Sequence, residues 1–281
     1  MSTVAIIGAG EIGGAAAYAL AAGGHTRRVV IIDDSRDAAA GKALDIQQAG
    51  AIKAFHTRLE GTDDAGRAVG CDVCVIADGF GGGAEPAAGE ALLRVRQLAK
   101  YAGDAPIVFA GAAHADLLAT IAVEDNMPRR RLIGSAPEAV ASAITAIVAM
   151  EAECSPSDIM LTVLGTPPDG LVVPWSEASI GGYALQQELP QVTLARLDAR
   201  VKALWPPGPH ALGTAAAHVV NALLSSSRRF FSVTTQLEGE FGVNRRPGIV
   251  SARLGAGGIR HIRLPELTTR ERVLVQSALG A

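Results

Sequence analysis

Cysteine is scarce. Three occur in 281 residues, an odd number in a chain this long, which argues against a disulfide framework. Positive charge is not in excess either: 25 Lys and Arg stand against 28 Asp and Glu, a net charge of −3. That balance has nothing to hold the chain on nucleic acid or on an anionic membrane, so neither partner is expected. Long apolar runs are missing as well, each being broken by Gly or charge before it could cross a bilayer. The opening "MSTVAIIGAGEIGG" enters a strand-like run with no basic n-region and no cleavage site. No signal peptide is expected, and the cytoplasm is the expected location. No repeat or low-complexity linker interrupts the chain.

What is present describes a soluble globular protein, 49% hydrophobic and 19% charged, long enough for one large or two modest cores. The first half alternates strands with helices. "TVAIIGAG" (3–10), "RVVIIDD" (28–34), "CDVCVIADG" (71–79) and "APIVFAG" (105–111) read as strands. Helices lie through "EIGGAAAYALAAGG", "RDAAAGKALDIQQAG" and "GEALLRVRQLAKYAG". Such alternation predicts a parallel sheet covered on both faces. From about 135 the pattern changes to a helix, then "DIMLTVLG" and "LVVP" as a strand pair around Pro167-Pro168-Asp169-Gly170, a turn of ordinary chemistry. Helices near 191–204 and 213–225, three strand-like runs and a closing helix follow. Two intimately packed domains are expected, at 1–135 and 136–281.

"CDVC" (71–74) has the C-x-x-C spacing. Positions three apart on a strand face opposite ways, and redox pairs need a helix N-terminus, so both cysteines are expected to be core residues. No metal site is expected.

"GAGEIG" places Gly8, Gly10 and Gly13 in G-x-G-x-x-G between the first strand and the first helix, with Asp33 twenty residues after Gly13. Gly8 allows the tight turn, Gly10 lets backbone approach a diphosphate, and Gly13 lets helix pack on strand. Asp33 suits ribose hydroxyls and repels a 2′-phosphate, which favours NAD over NADP, although Arg36 stands nearby. The expected cofactor contacts are Gly8, Gly10, Glu11, Ile12, Gly13, Asp33 and Gly79. A glycine turn serving packing alone is the other reading.

With these motifs the chain resembles the lactate/malate dehydrogenase family, the malate branch best. "GKALDIQQ" (41–48), "GTDDAGRAVGCDVCVIADG" (61–79), "SIGGYALQQEL" (179–189), "GEFGV" (239–243) and "ARLGAGGI" (252–259) stand in the family's order. The resemblance covers nearly the whole chain. It implies a Rossmann doubly wound NAD-binding domain, an α+β domain like the family's C-terminal one, and a homo-oligomer, dimer or tetramer. It also implies reduction of a 2-oxo acid by NADH. That chemistry uses a His held by an Asp, an Arg gripping the substrate carboxylate, a mobile loop bearing Arg, and an orienting Asn.

None of these is found at its place. After Gly79 stands "FGGGAEPAAGEALL", with Glu85 and Glu90 and no arginine before Arg94; the Asn-Pro places hold Ala113 and His114. Val140 and Ala143 replace the Asp and the Arg, and Pro168 falls where the His should be. The segment "VKALWPPGPHALG" (201–213), which should wall the substrate pocket, is short. Losing a single general acid costs ~10²–10⁴ in rate, so the expected catalytic set is empty. The expectation is a catalytically degenerate, NAD-binding member acting as a regulatory or partner subunit, with an active paralogue as a candidate partner. One alternative is an oxidoreductase on a non-carboxylate alcohol or carbonyl, with His114 near Asp116, or His210 or His218, as acid/base. A structural subunit without ligand is the other. His25 and His261 read as solvent-facing.

Overall fold

A computed structural model describes residues 2–81 and 88–280, with Ala88 and Glu90 described as backbone alone. Glu85 and the side chain of Glu90, expected to oppose the family's loop charge, lie outside the described residues.

Strands β1 (Thr3–Ile7), β2 (Arg28–Ile32), β3 (Arg58–Thr62), β4 (Val73–Ile76), β5 (Ile107–Phe109) and β6 (Leu132–Gly134) form a parallel sheet in the order β3-β2-β1-β4-β5-β6. Apart from β3, their runs are largely apolar because both faces are covered. Val4, Ile6, Val29, Ile31, Val73 and Val75 point to one face, while Ala5, Ile7, Val30, Ile32, Cys74 and Ile76 point to the other. Helices α1 (Glu11–Ala22) and α2 (Arg36–Lys53) cover the first face; α3 (Ala88–Ala102) and α4 (Ala115–Glu124) cover the second. The side chain of Ser35 caps α2 by accepting the Ala38 N–H, satisfying one of its orphan donors.

Helix α5 (Ala136–Glu151) opens the second half, followed by β7 (Ile159–Met160), β8 (Leu164–Thr166), β9 (Gly170–Val172), β10 (Ser179–Ile180) and β11 (Tyr183–Ala184). Then come α6 (Leu185–Glu188), α7 (Gln191–Val201), α8 (Pro209–Ser225), β12 (Phe230–Glu238), β13 (Asn244–Gly255), β14 (Gly258–Arg263) and α9 (Thr269–Leu279). The two halves share one sheet. β12 joins antiparallel to β6 through Thr234 and Gly134, and the order runs on through β13, β8 and β9 to make 11 strands, with β14 pairing β13. Helix α8 crosses back to pack on α1, where Gly213 meets the turn from Ile12 to Ala16. Among the described residues no helix is long and apolar enough to cross a membrane.

Elements α4, β6, β10, β11 and α6 were not read from the sequence, and three further features differ from that reading. β3, "RLEGT", carries one large apolar residue and was not expected; it is held as an edge strand by parallel pairing to β2. "DIMLTVLG" is two strands rather than one, because β7 joins β10 in a separate small sheet while β8 pairs β9. Cys71 and Cys74 do not point apart. Cys71 precedes β4, so strand alternation does not govern it, and the two sulfurs lie 3.1 Å apart. Both are buried core residues, as expected. The contact with Cys74 holds the Cys71 thiol below its ordinary value, against burial; the same contact, with burial, pushes Cys74 well above it. Cys154 is the more accessible of the three. Ellman's reagent is expected to titrate Cys154 first, with the other two at least about tenfold slower until denaturant opens the core, since reactivity needs access. Equal native rates for all three would contradict this placement.

Candidate functional site

The turn from β1 into α1 is built for close approach. Gly8 has φ +113° and donates its N–H to the Ile32 carbonyl at 2.8 Å. A Cβ on Gly8 would stand 2.1 Å from the Asp78 carbonyl oxygen, and one on Gly13 would stand 2.0 Å from the Gly8 carbonyl oxygen. Both glycines are therefore demanded by packing of backbone on backbone. Gly10 faces a cavity of about 630 Å³ bordered also by Glu11, Ile12, Lys42, Asp78 and Gly79. Four of the expected contacts, Gly10, Glu11, Ile12 and Gly79, thus line one cavity, with Gly8 and Gly13 packed beneath it.

Asp33 is placed differently. It is buried at the end of β2, and its carboxylate accepts the N–H groups of Ala9 (2.8 Å), Ser35 (3.0 Å) and Phe80 (3.0 Å). It ties the glycine turn to the segment after β4, and it does not border the cavity.

The residue that the sequence reading missed is Asp78, at the carboxyl end of β4. Its Oδ2 accepts the Glu11 N–H at 2.8 Å and its Oδ1 the Gly13 N–H at 3.0 Å. Its carbonyl oxygen accepts the Gly10 N–H at 3.0 Å. A Cβ on Gly10 would stand 2.4 Å from this carboxyl group. The signal was available: a lone charge after "VCVI", at the end of the strand beside β1, where ligands of such sheets bind.

The other expected positions are plain. Val140 is buried in the core of the second half, and Pro168 lies in the short link closing the β8–β9 hairpin, where Thr166 pairs Gly170. His114 is buried at the start of α4. Its Nδ1 accepts the Gly111 N–H at 3.2 Å, and its ring stands edge-on to Phe109. His210 is exposed on α8, and from that segment Pro207, Pro209 and Leu212 line the cavity instead. His218 lies with its Nδ1 3.3 Å from Glu138 Oε1, on a second cavity of about 510 Å³. Neither His114 nor His210 borders the glycine-turn cavity. His25 and His261 are exposed. Among the described residues no group of three His, Cys, Asp or Glu could hold a metal.

A doubly wound sheet with a glycine turn under its first helix, continued by antiparallel strands into a second half, defines a dinucleotide-binding dehydrogenase fold. Residues 2–90 match the family described as lactate/malate dehydrogenase, NAD binding domain. The chain is 30% identical to a malate dehydrogenase of a Nitratiruptor species, across 100% of this chain and 93% of that one. Among solved structures, the minor L-lactate dehydrogenase from Enterococcus mundtii superposes with a TM-score of 0.90 at 20% identity, covering 99% of this chain and 95% of that one. The malate dehydrogenase from Aeropyrum pernix gives 0.89 at 22% identity, with 99% and 95% covered. The chain belongs to the lactate/malate dehydrogenase family, and NAD is the cofactor of its first domain.

The turn fits that cofactor in shape, through its glycines and the open space beside Gly10. In charge it does not. Two amides at the start of the first helix, Glu11 and Gly13 N–H, already serve the Asp78 carboxylate.

Proposed function

We propose that this protein is a catalytically degenerate member of its family, NAD-linked, that does not reduce 2-oxo acids and serves as a regulatory or partner subunit. The carrying observation is the absence of every charged group expected around the substrate. Val140 is packed in core, Ala143 offers a methyl, and Pro168 sits in a closed hairpin. A guanidinium fork on a carboxylate contributes roughly 1.5–3 kcal/mol per charged hydrogen bond. With the fork and the proton donor both missing from their places, the family's recognisable means of favouring the transition state over the ground state are gone.

The match of residues 2–90 to an NAD binding domain supports NAD over NADP, and Gly134 ending β6 just before Ser135 and α5 supports a boundary at 135/136. Exposed Leu44 and Ile52 on α2 support assembly into a dimer or tetramer. A cytoplasmic setting belongs to the same reading. NADH oxidation by the purified protein with oxaloacetate or pyruvate is expected to stay at the buffer rate. Turnover that disappears in Gly10→Asp would overturn the proposal.

A further inference from the structure

We infer that Asp78 is an internal surrogate for the diphosphate: its carboxylate occupies the anion cradle of the family's cofactor, and a dinucleotide binds fully only when that side chain leaves. The inference rests on the cofactor of the fold and not on the loss of catalysis.

The geometry is that of an anion on a helix N-terminus. The first amides of α1 are orphan donors carrying the positive end of the helix dipole, and they attract phosphate groups for that reason. Here both Asp78 oxygens are engaged, one by Glu11 N–H and one by Gly13 N–H. Of the other amides of the turn, Gly8 donates to Ile32, Ala9 to Asp33 and Gly10 to the Asp78 carbonyl. The space that the missing Cβ of Gly10 leaves open, usually given to the diphosphate, is filled by the carboxyl group, 2.4 Å from that Cβ position.

Charge points the same way. Among the described residues the cavity is bordered by two carboxylates, Glu11 and Asp78, and one ammonium, Lys42. A diphosphate entering beside Asp78 would meet a like charge and find two of the turn's donors, Glu11 and Gly13 N–H, already taken. The occupant can nevertheless leave. The Asp78 backbone is held separately, by Gly10 N–H on its carbonyl, so the side chain can turn about Cα–Cβ and release both amides without moving β4. Its departure exposes two N–H donors to whichever anion replaces it.

The test titrates NADH, ADP and adenosine onto the full chain and onto Asp78→Ala, by calorimetry. Asp78→Ala is expected to bind NADH and ADP at least about tenfold more tightly than the native chain, with adenosine, which has no phosphate, unchanged. Without ligand the variant melts lower, having lost the cap; saturating NADH raises its melting temperature more than it raises that of the native chain. Asp78→Asn keeps the shape and one acceptor while removing the charge. It is expected to gain in the same direction by less, and it serves if Asp78→Ala does not fold. Equal NADH affinity in native and variant chains, a gain shared by adenosine, or no NADH binding by any of them would each overturn the inference. Oxaloacetate turnover on the same samples keeps the two proposals apart, since a variant that binds NADH yet turns nothing over supports both. Turnover by the native chain sinks only the catalytic reading.

Discussion

Gly8→Ala is expected to lower the unfolding free energy by roughly 2–6 kcal/mol, the sum of about 1–3 for a strained positive φ and about 1–3 for overpacking. The collision is between backbones. The new Cβ would meet the Asp78 carbonyl oxygen at 2.1 Å, and that oxygen is fixed by the Gly10 N–H. Relief requires the end of β4 to part from β1, the central pairing of the six parallel strands. Against a total stability of about 5–15 kcal/mol, such a loss is large. A urea titration should show the midpoint fall with little change in slope. Gly41→Ala is the control. Gly41 lies within α2 with nothing within 4 Å of an added Cβ, so this change should stabilise by about 0.5–1 kcal/mol. Similar midpoints for the two variants would refute the packing role assigned to Gly8.

Glu271→Ala is expected to cost about 2 kcal/mol, about 1 from the lost cap and about 1 from the half-buried Ser176 donors left without an acceptor. Glu271 opens the last helix in a capping box with Thr268, whose N–H and hydroxyl both donate to its carboxylate. The same carboxylate accepts the N–H of Ser176 at 3.0 Å and its hydroxyl at 2.6 Å. One side chain therefore fastens α9 to the turn after β9. Burial raises its proton affinity, but the Ser176 and Thr268 hydrogen bonds prevail and hold it below the ordinary glutamate value. Because the folded state then binds fewer protons than the unfolded state, the contribution is complete above the unfolded value and lost as pH falls through the folded one. Glu240, facing Arg129, and Glu60, facing Arg28 and Arg67, shift the same way against burial. Urea midpoints should show the gap between native and Glu271→Gln chains closing as the solution is acidified below the carboxylate range. A gap that does not change with pH would remove Glu271 from the acid response.

Much of this architecture could be read before any coordinates. β1, β2 and β4 declared themselves because strands covered on both faces are apolar throughout, and the glycine turn declared itself by its place between β1 and α1. β3 did not, since an edge strand buries little and "RLEGT" carries no period. The CDVC pair misled because alternation applies only inside a strand, and Cys71 lies before it. Asp33 was legible as the acid after β2, but its engagement by three backbone amides was not. Asp78 was the hardest to see, because its meaning depends on which strand lies beside β1 and on where that strand stops.

The contact of Gly213 with α1 has a mechanical consequence. An added Cβ there would stand 2.6 Å from the Ala15 methyl and 2.7 Å from the Ala16 nitrogen, so the two helices touch almost without side chains between them. Pro207, Pro209 and Leu212, at the head of α8, border the same hollow as Gly10. With no soft layer to absorb a shift of α1, a displacement at one end of that rod must be felt along the other, joining the nucleotide half to the remodelled half as a single stiff lever.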